Sequence, residues 1–297
     1  MLQFYIWVDN MGLGLCSQRR RNHQPGLKSG TGKYAKRALG TAFNDKTNFT
    51  VLQFMQADRS DGVGLSGSSG LFSMWDGTNG MNIKNFSINV YVTTDSSSFA
   101  PAPLMSRGSG GGDWAGVNVT GQRATLTFVW AWTFDASLGS NESKAYTYGL
   151  SNVTSGKDFK EINEGIANLG TIADTDIRIG NTGADDDGNV AYACAAGVKF
   201  CKTAIWYSTL TVENIETLVN YDSNMDAGNG SMIYDVSGRK GAIGYTELGI
   251  AQPNHEWVPT WNDPDQTDLS SIVDTGSTGG EDLSLVGSPM IATIGKY

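Results

Sequence analysis

Residues 197–219 read GVKFCKTAIWYSTLTVENIETLV, and within them the apolar spacing changes period. Up to Ile205, Trp206 and Tyr207 the run is strand-like. From Thr211 onward Ile215, Leu218 and Val219 recur at the i, i+3, i+4 spacing of a short helix with one packed face. Thr211 is placed to cap that helix, and Glu213 falls in its first turn, where the helix dipole favours a negative charge. A long strand running directly into a short helix predicts a strand that closes a sheet and a helix that covers an exposed end of the sandwich.

The rest of the chain supplies that sheet. Thirty-eight Gly among 297 residues, with only 17% charged residues, suit an all-β protein with many turns, and 10% aromatic residues supply a real core. Apolar runs bounded by Gly, Ser, Asn and Asp predict strands at 49–56, 70–75, 86–94, 124–134, 144–150, 176–180 and 198–207. TLTFVWAW alternates its side chains across two faces. The segment 158–170 reads as including a short helical turn, with Gly165 weakening it. Three regions follow: a basic N-terminal arm (1–40), a β-sandwich (41–222) and an acidic, extended C-terminal segment or small β-appendage (223–297).

The net charge of −9 is unevenly spread. Residues 17–40 hold seven Lys or Arg and no acid, whereas residues 241–295 hold eight acids and no Lys or Arg. Such segments can pair with each other, with neighbouring subunits or with other charged surfaces. Nucleic acid is a poor partner, because the arm has few aromatic residues and most of the chain repels phosphate. No stretch has the length of a membrane span, and the N-terminus does not read as a secretory signal. Three Cys (Cys16, Cys194, Cys201) give no disulfide framework; Cys194 and Cys201 are the one pair close in sequence, and free thiols are the expectation.

Few residues point to catalysis. The two His, His23 and His255, stand in no metal-binding spacing, and His255 in PNHEWVPTW reads as a loop residue. A Ser-His-Asp or Cys-His nucleophile system is therefore not expected. Gly62-Val63-Gly64-Leu65-Ser66-Gly67 matches a dinucleotide fingerprint but runs into strand-like sequence, so it reads as a glycine-rich loop. Asp185 and Asp187, in DDDGN, are the candidate Ca²⁺ ligands; the run departs from the EF-hand spacing and reads first as a solvated turn. No enzyme and no cofactor are expected.

Residues 48–221 resemble the concanavalin A-like, laminin-G-type jelly rolls. The resemblance is carried by TIADTDIRIGNTG, by RATLTFVWAWTFDASLGSNESKAYTYGLSNVTSG and by the strand-and-helix phrase at 197–219. Lys202 stands where that family's closing strand has an apolar or small residue. The resemblance implies an all-β fold: a jelly-roll sandwich with one short helix after the closing strand, plus extended N- and C-terminal segments. Such bodies serve as sugar-binding modules, adhesins, and spikes or cement on virus particles. The flanking charged segments lead to the expectation of a tailed-bacteriophage capsid decoration protein, oligomeric, assembled in the host cytoplasm and located in the virion. Arg19, Arg20, Arg21, Lys33, Lys36 and Arg37 would clamp the major capsid protein or further copies of the chain. The alternative is a tail-fibre or spike adhesin binding a host-surface glycan through Trp114, Trp257 or Trp261, whose bland reading is core or interface packing.

Overall fold

The computed structural model describes residues 25–28, 33–38, 48–57, 69–75, 80–85, 103–107, 115–116, 127–135, 137, 143–149, 158–164, 176–181, 198–224, 245–259, 271–287 and 290–293. Its strands in chain order are Pro25–Lys28 (β1), Tyr34–Ala38 (β2), Asn48–Ala57 (β3), Ser69–Trp75 (β4), Gly80–Asn85 (β5), Pro103–Arg107 (β6), Ala115–Gly116 (β7) and Thr127–Asp135 (β8). Then come Ser143–Gly149 (β9), Asp158–Glu164 (β10), Asp176–Ile179 (β11), Val198–Trp206 (β12), His255–Trp257 (β13), Ser271–Ile272 (β14), Leu283–Val286 (β15) and Met290–Thr293 (β16). Among the described residues the α-helix is Val212–Asn224 (α1), which follows β12.

The strands form two antiparallel sheets. One runs β10-β9-β8-β3-β12-β1-β16, with β13 beside β12, and the other runs β14-β15-β2-β11-β4-β5-β6-β7. The fold is the expected all-β jelly-roll sandwich. Residues 158–164 are an edge strand paired in register with β9, not a helical turn. The expected strand at 86–94 lies outside the described residues.

The described parts of the terminal segments pair with the body. β1 lies between β12 and β16, and β2 lies between β11 and β15. The segment expected to be a basic arm therefore contributes a strand to each sheet. The acidic segment adds β13 and β16 to one sheet and β14 and β15 to the other, so the described parts of the expected arm and appendage belong to the sandwich. The weak apolar patterning of 271–293 hid this, because each piece is only two to four residues long.

Between the sheets, Phe72 meets the edge of Trp130 at 6.0 Å. A buried polar ladder crosses three strands beside them. Trp130 Nε1 donates to Gln53 Oε1 at 2.9 Å, and Gln53 Nε2 donates to Thr203 Oγ1 at 3.0 Å. Gln53 is thus buried with both ends of its amide satisfied, which removes the desolvation cost of an unpaired polar group.

The outer face of the first sheet is covered as well. Leu52, Phe54, Ala131, Ala204 and Trp206 pack against Leu210, Ile215, Leu218, Tyr245 and Ile250. The helix therefore lies over a sheet face and does not plug the sandwich end. Thr211 caps it as expected, its Oγ1 accepting from Asn214 N at 3.2 Å. The carboxyl of Glu213 is held below its usual value by hydrogen bonds from its own backbone amide and the Thr211 hydroxyl. After the helix, a single 3-10 turn, Thr246–Leu248, brings Tyr245 and Ile250 onto the same cluster. Gly249 ends it at φ 72°, a left-handed conformation that glycine adopts without strain.

Candidate functional site

A register shift between Phe200 and Lys202 marks a bulge in β12. An extra residue reverses which side chains face inward, so Phe200 lies opposite Met55 and Lys202 opposite Phe54. The bulge also separates two partners of the same strand edge: β1 pairs at Lys199 and Phe200, and β13 pairs from Thr203 to Ile205. Strand β13 then presents His255 and Trp257 on one face and Glu256 on the other.

On the first face His255 is held at both ring nitrogens. Its Nδ1 lies 2.7 Å from Asp274 Oδ2, and its Nε2 lies 2.5 Å from the Tyr207 hydroxyl. A carboxylate only accepts, which assigns the ring proton to Nδ1 and leaves Nε2 to accept from Tyr207. Trp257 stacks on the imidazole at 5.5 Å with 4° between the rings. Asp274 Oδ1 accepts from the amides of Glu256 and Gly276, each at 2.9 Å. Burial by itself would raise the Asp274 carboxyl, but the His255 hydrogen bond and the two amides outweigh it and hold it below its usual value. The Tyr207 hydroxyl is pushed well above the ordinary tyrosine value, first by burial and then by the charges of Asp274 and Glu281.

On the second face Glu256 Oε1 contacts Lys202 Nζ and accepts from the Tyr245 hydroxyl at 2.7 Å. The Lys202 ammonium also lies 5.2 Å from the centre of the Tyr245 ring. Lys202 is 1% exposed and Glu256 5%. Burial lowers the Lys202 ammonium from its ordinary value, with Glu256 acting in the opposite sense. Tyr245 is pushed up by burial and by Glu256.

Chemically, these groups form a polar seam that fastens β13 and the loop 274–278 to the sandwich. An Asp-His-Tyr relay has the connectivity of a nucleophile system, but its hydroxyl is held protonated and the imidazole is buried, so no activated oxygen faces a substrate. Both buried carboxylates are likewise engaged within the fold, unlike a glycosidase pair flanking an open cleft. A cavity between the sheets, lined by Leu27, Ile179, Phe200, Lys202, Thr203, Trp257, Pro259 and Ile272, measures about 10 Å³, room for one water. Among the described residues no three His, Cys, Asp or Glu side chains converge to hold a metal. No helix among them is long and apolar enough to cross a membrane.

The residues singled out from the sequence fare differently. Trp257 is not a surface platform: it is 1% exposed, and its Nε1 donates to Glu281 O at 2.7 Å. His255 is not a loop residue but the centre of the buried relay. Lys33, Lys36 and Arg37 belong to the β2 region, and Arg37 Nε pairs with Glu281 Oε2 at 2.8 Å, joining the basic and acidic segments within one chain. Arg19, Arg20, Arg21, Trp114, Trp261, Asp185, Asp187, Cys194 and the glycine-rich 62–67 lie outside the described residues, as does the Cys201 side chain. Sequence reasoning missed Tyr207, Asp274, Glu256 and Tyr245 as a group. Lys202, standing where the closing strand of the resembling jelly rolls has an apolar or small residue, was the one signal the sequence offered.

No protein-family profile matches the sequence, and no curated protein matches it. Solved structures do superpose on it. A heptameric SAP-like pentraxin from Limulus polyphemus matches at 11% identity and a TM-score of 0.43, over 67% of this chain and 82% of the pentraxin chain. A Bacteroides ovatus protein assigned as carbohydrate-binding matches at 14% identity and a TM-score of 0.46, over 92% of this chain and 60% of the other. The CBM40 of a Ruminococcus gnavus IT-sialidase matches at 10% identity and a TM-score of 0.36, over 63% of this chain and 93% of the module. Similarities of this size transfer no site residue and no ligand.

Proposed function

We propose that the chain is a non-enzymatic, carbohydrate-binding β-sandwich module that acts through its exposed loops. The observation that carries this reading is the surface of the described residues beside β13. Among the described residues the exposed large hydrophobic is Val273 alone, so these residues offer a protein partner no apolar patch. The loop beside the relay instead presents Gln252, Thr275, Ser277 and Thr278 to solvent, with Asn254 beside them. Hydroxyl and amide groups of this kind suit a neutral, hydroxyl-rich ligand better than a charged polymer. The capsid-clamp reading needs free arms, and it loses support where β1, β2 and β13 to β16 pair within their own chain.

Trp114 and Trp261 are the remaining aromatic candidates for stacking on a sugar ring. A glycan array probed with the full chain tests the reading. Retention of a defined glycan class, lost in Trp114→Ala or Trp261→Ala with folding intact, is the expected result. A blank array, together with hundreds of copies of the chain on purified phage particles, would replace this reading with capsid decoration.

A further inference from the structure

The Lys202–Glu256 contact is set up as a reacting pair. We propose that Lys202 and Glu256 close an intramolecular isopeptide bond, an amide joining Lys202 Nζ to the Glu256 side-chain carbonyl carbon across β12 and β13. The register places Ala204 opposite Glu256, so Lys202 is its diagonal neighbour on the same face, within reach of a long side chain. Both side chains are held: Lys202 by the bulge that turns it to this face, Glu256 by the ladder and by Tyr245. Their surroundings include the buried apolar side chains Phe54, Ala204, Trp206 and Tyr245.

Condensation consumes the neutral amine and the neutral acid, and a site of low polarity disfavours charge on the amine. Burial lowers the Lys202 ammonium in the same sense. The Nζ lone pair attacks the carboxyl carbon, forming the N–C bond. The bond from that carbon to Oε2 breaks, and Oε2 leaves as water with the carboxyl hydrogen and one hydrogen from Nζ. No oxidant or cofactor is needed. Tyr245 donates to Oε1, the oxygen that becomes the amide carbonyl, and stabilises the negative charge it gains in the tetrahedral intermediate. Thr275 Oγ1 lies 3.4 Å from Oε2, the departing oxygen. Holding both partners in one buried geometry supplies the effective concentration that free amines and acids lack. The product closes a covalent loop through the helix and fastens the C-terminal strands to the body.

Intact-mass measurement of the full chain, followed by proteolysis and tandem mass spectrometry, tests the proposal. The expected result is a mass lower than the sequence mass by one water, with the peptides holding Lys202 and Glu256 joined. Lys202→Arg should restore the full sequence mass. A folded wild-type chain of full sequence mass, with a cooperative melting transition, overturns the proposal. So does a water loss that maps to any other residue pair. The wild-type chain alone decides this, even if a variant fails to fold. Refolding time courses of Tyr245→Phe should show joining slowed by roughly tenfold or more; an unchanged rate overturns the assignment of Tyr245 as the catalytic donor.

Discussion

His255 and Glu256 are adjacent in sequence, buried and polar, yet the two faces of β13 treat them differently. On the His255 face the polar chain leads outward: Tyr207 is half-buried, and Asp274 connects to the exposed loop 275–278. On the Glu256 face the charges are enclosed by the apolar cluster under α1, with Tyr245 closing over them. The lesson is that alternation along a strand can split one polar stretch into a seam that vents to solvent and a pair that is sealed. A seam near the surface can relax or recruit water when one member is lost. A sealed pair cannot, because the remaining charge has nowhere to go.

The largest expected effect lies on the sealed side. Lys202→Met leaves the Glu256 carboxyl buried without its partner, and Glu256→Leu does the same to the Lys202 amine. Each should cost about 3–5 kcal/mol, read from chemical-denaturation midpoints. The double change to Met and Leu should recover most of that loss, since the cluster around it is already apolar. Equal losses on the two faces of β13 would break the comparison.

Next comes Gly276→Ala. A Cβ at this position would run into the carbonyl of Asn254 and the Cα of His255. Relief requires moving the loop that supplies two of the hydrogen bonds on Asp274 and Asn254. A cost of about 1–3 kcal/mol is expected, the range for forcing atoms into a packed site. Faster amide exchange should be confined to 254–256 and 274–278. If exchange also rose across α1, the two faces would be coupled and not separable.

How far the sequence could foresee these features depends on range. The period change at 207–211, the Thr211 cap and the alternation in β8 are local, and each is found where the residues indicate it. The seam is not local. Lys202 meets Glu256 only because residues between them loop through α1 and the turn at 246–248. Asp274 reaches His255 through a bridge between Trp257 and Asp274 that no periodicity encodes. His255 looked like a loop residue because a three-residue strand flanked by prolines carries almost no pattern. The terminal strands escaped for the same reason: short strands take their identity from the partner they pair with, and the partner is distant.

Asp274→Asn sharpens the vented side. The new amide can keep accepting from Glu256 N and Gly276 N, but its NH₂ then faces His255 Nδ1. The imidazole can answer by carrying its proton on Nε2 and donating to Tyr207, so the loss should stay near 1.5–3 kcal/mol. Nitrogen chemical shifts of His255 should report the tautomer change. The pH dependence follows from the depressed Asp274 carboxyl. Its contribution is fully present above the unfolded-state carboxylate value, about 3.9, and is lost as pH falls through the lower folded value. Asp274→Asn should therefore remove part of the acid-side loss of stability and leave neutral-pH behaviour flat. An acid limb identical to that of the wild type would show that Asp274 is not its source.

The smallest effect belongs to Arg37→Ala at the outermost reach of the vented side. Glu281 is shared there: its carboxylate pairs with Arg37, and its backbone carbonyl accepts from Trp257. Arg37 and Glu281 are both about one-third exposed, so water and salt already screen the pair. A loss of about 0.2–1 kcal/mol is expected, shrinking further as ionic strength rises. The backbone bond to Trp257 should survive, because it does not depend on the Glu281 side chain. A salt-insensitive loss above about 2 kcal/mol would mean that the pair behaves as a sealed one. The basic and acidic segments would then be a structural clasp within the chain, and the difference between the two faces of β13 would be one of degree.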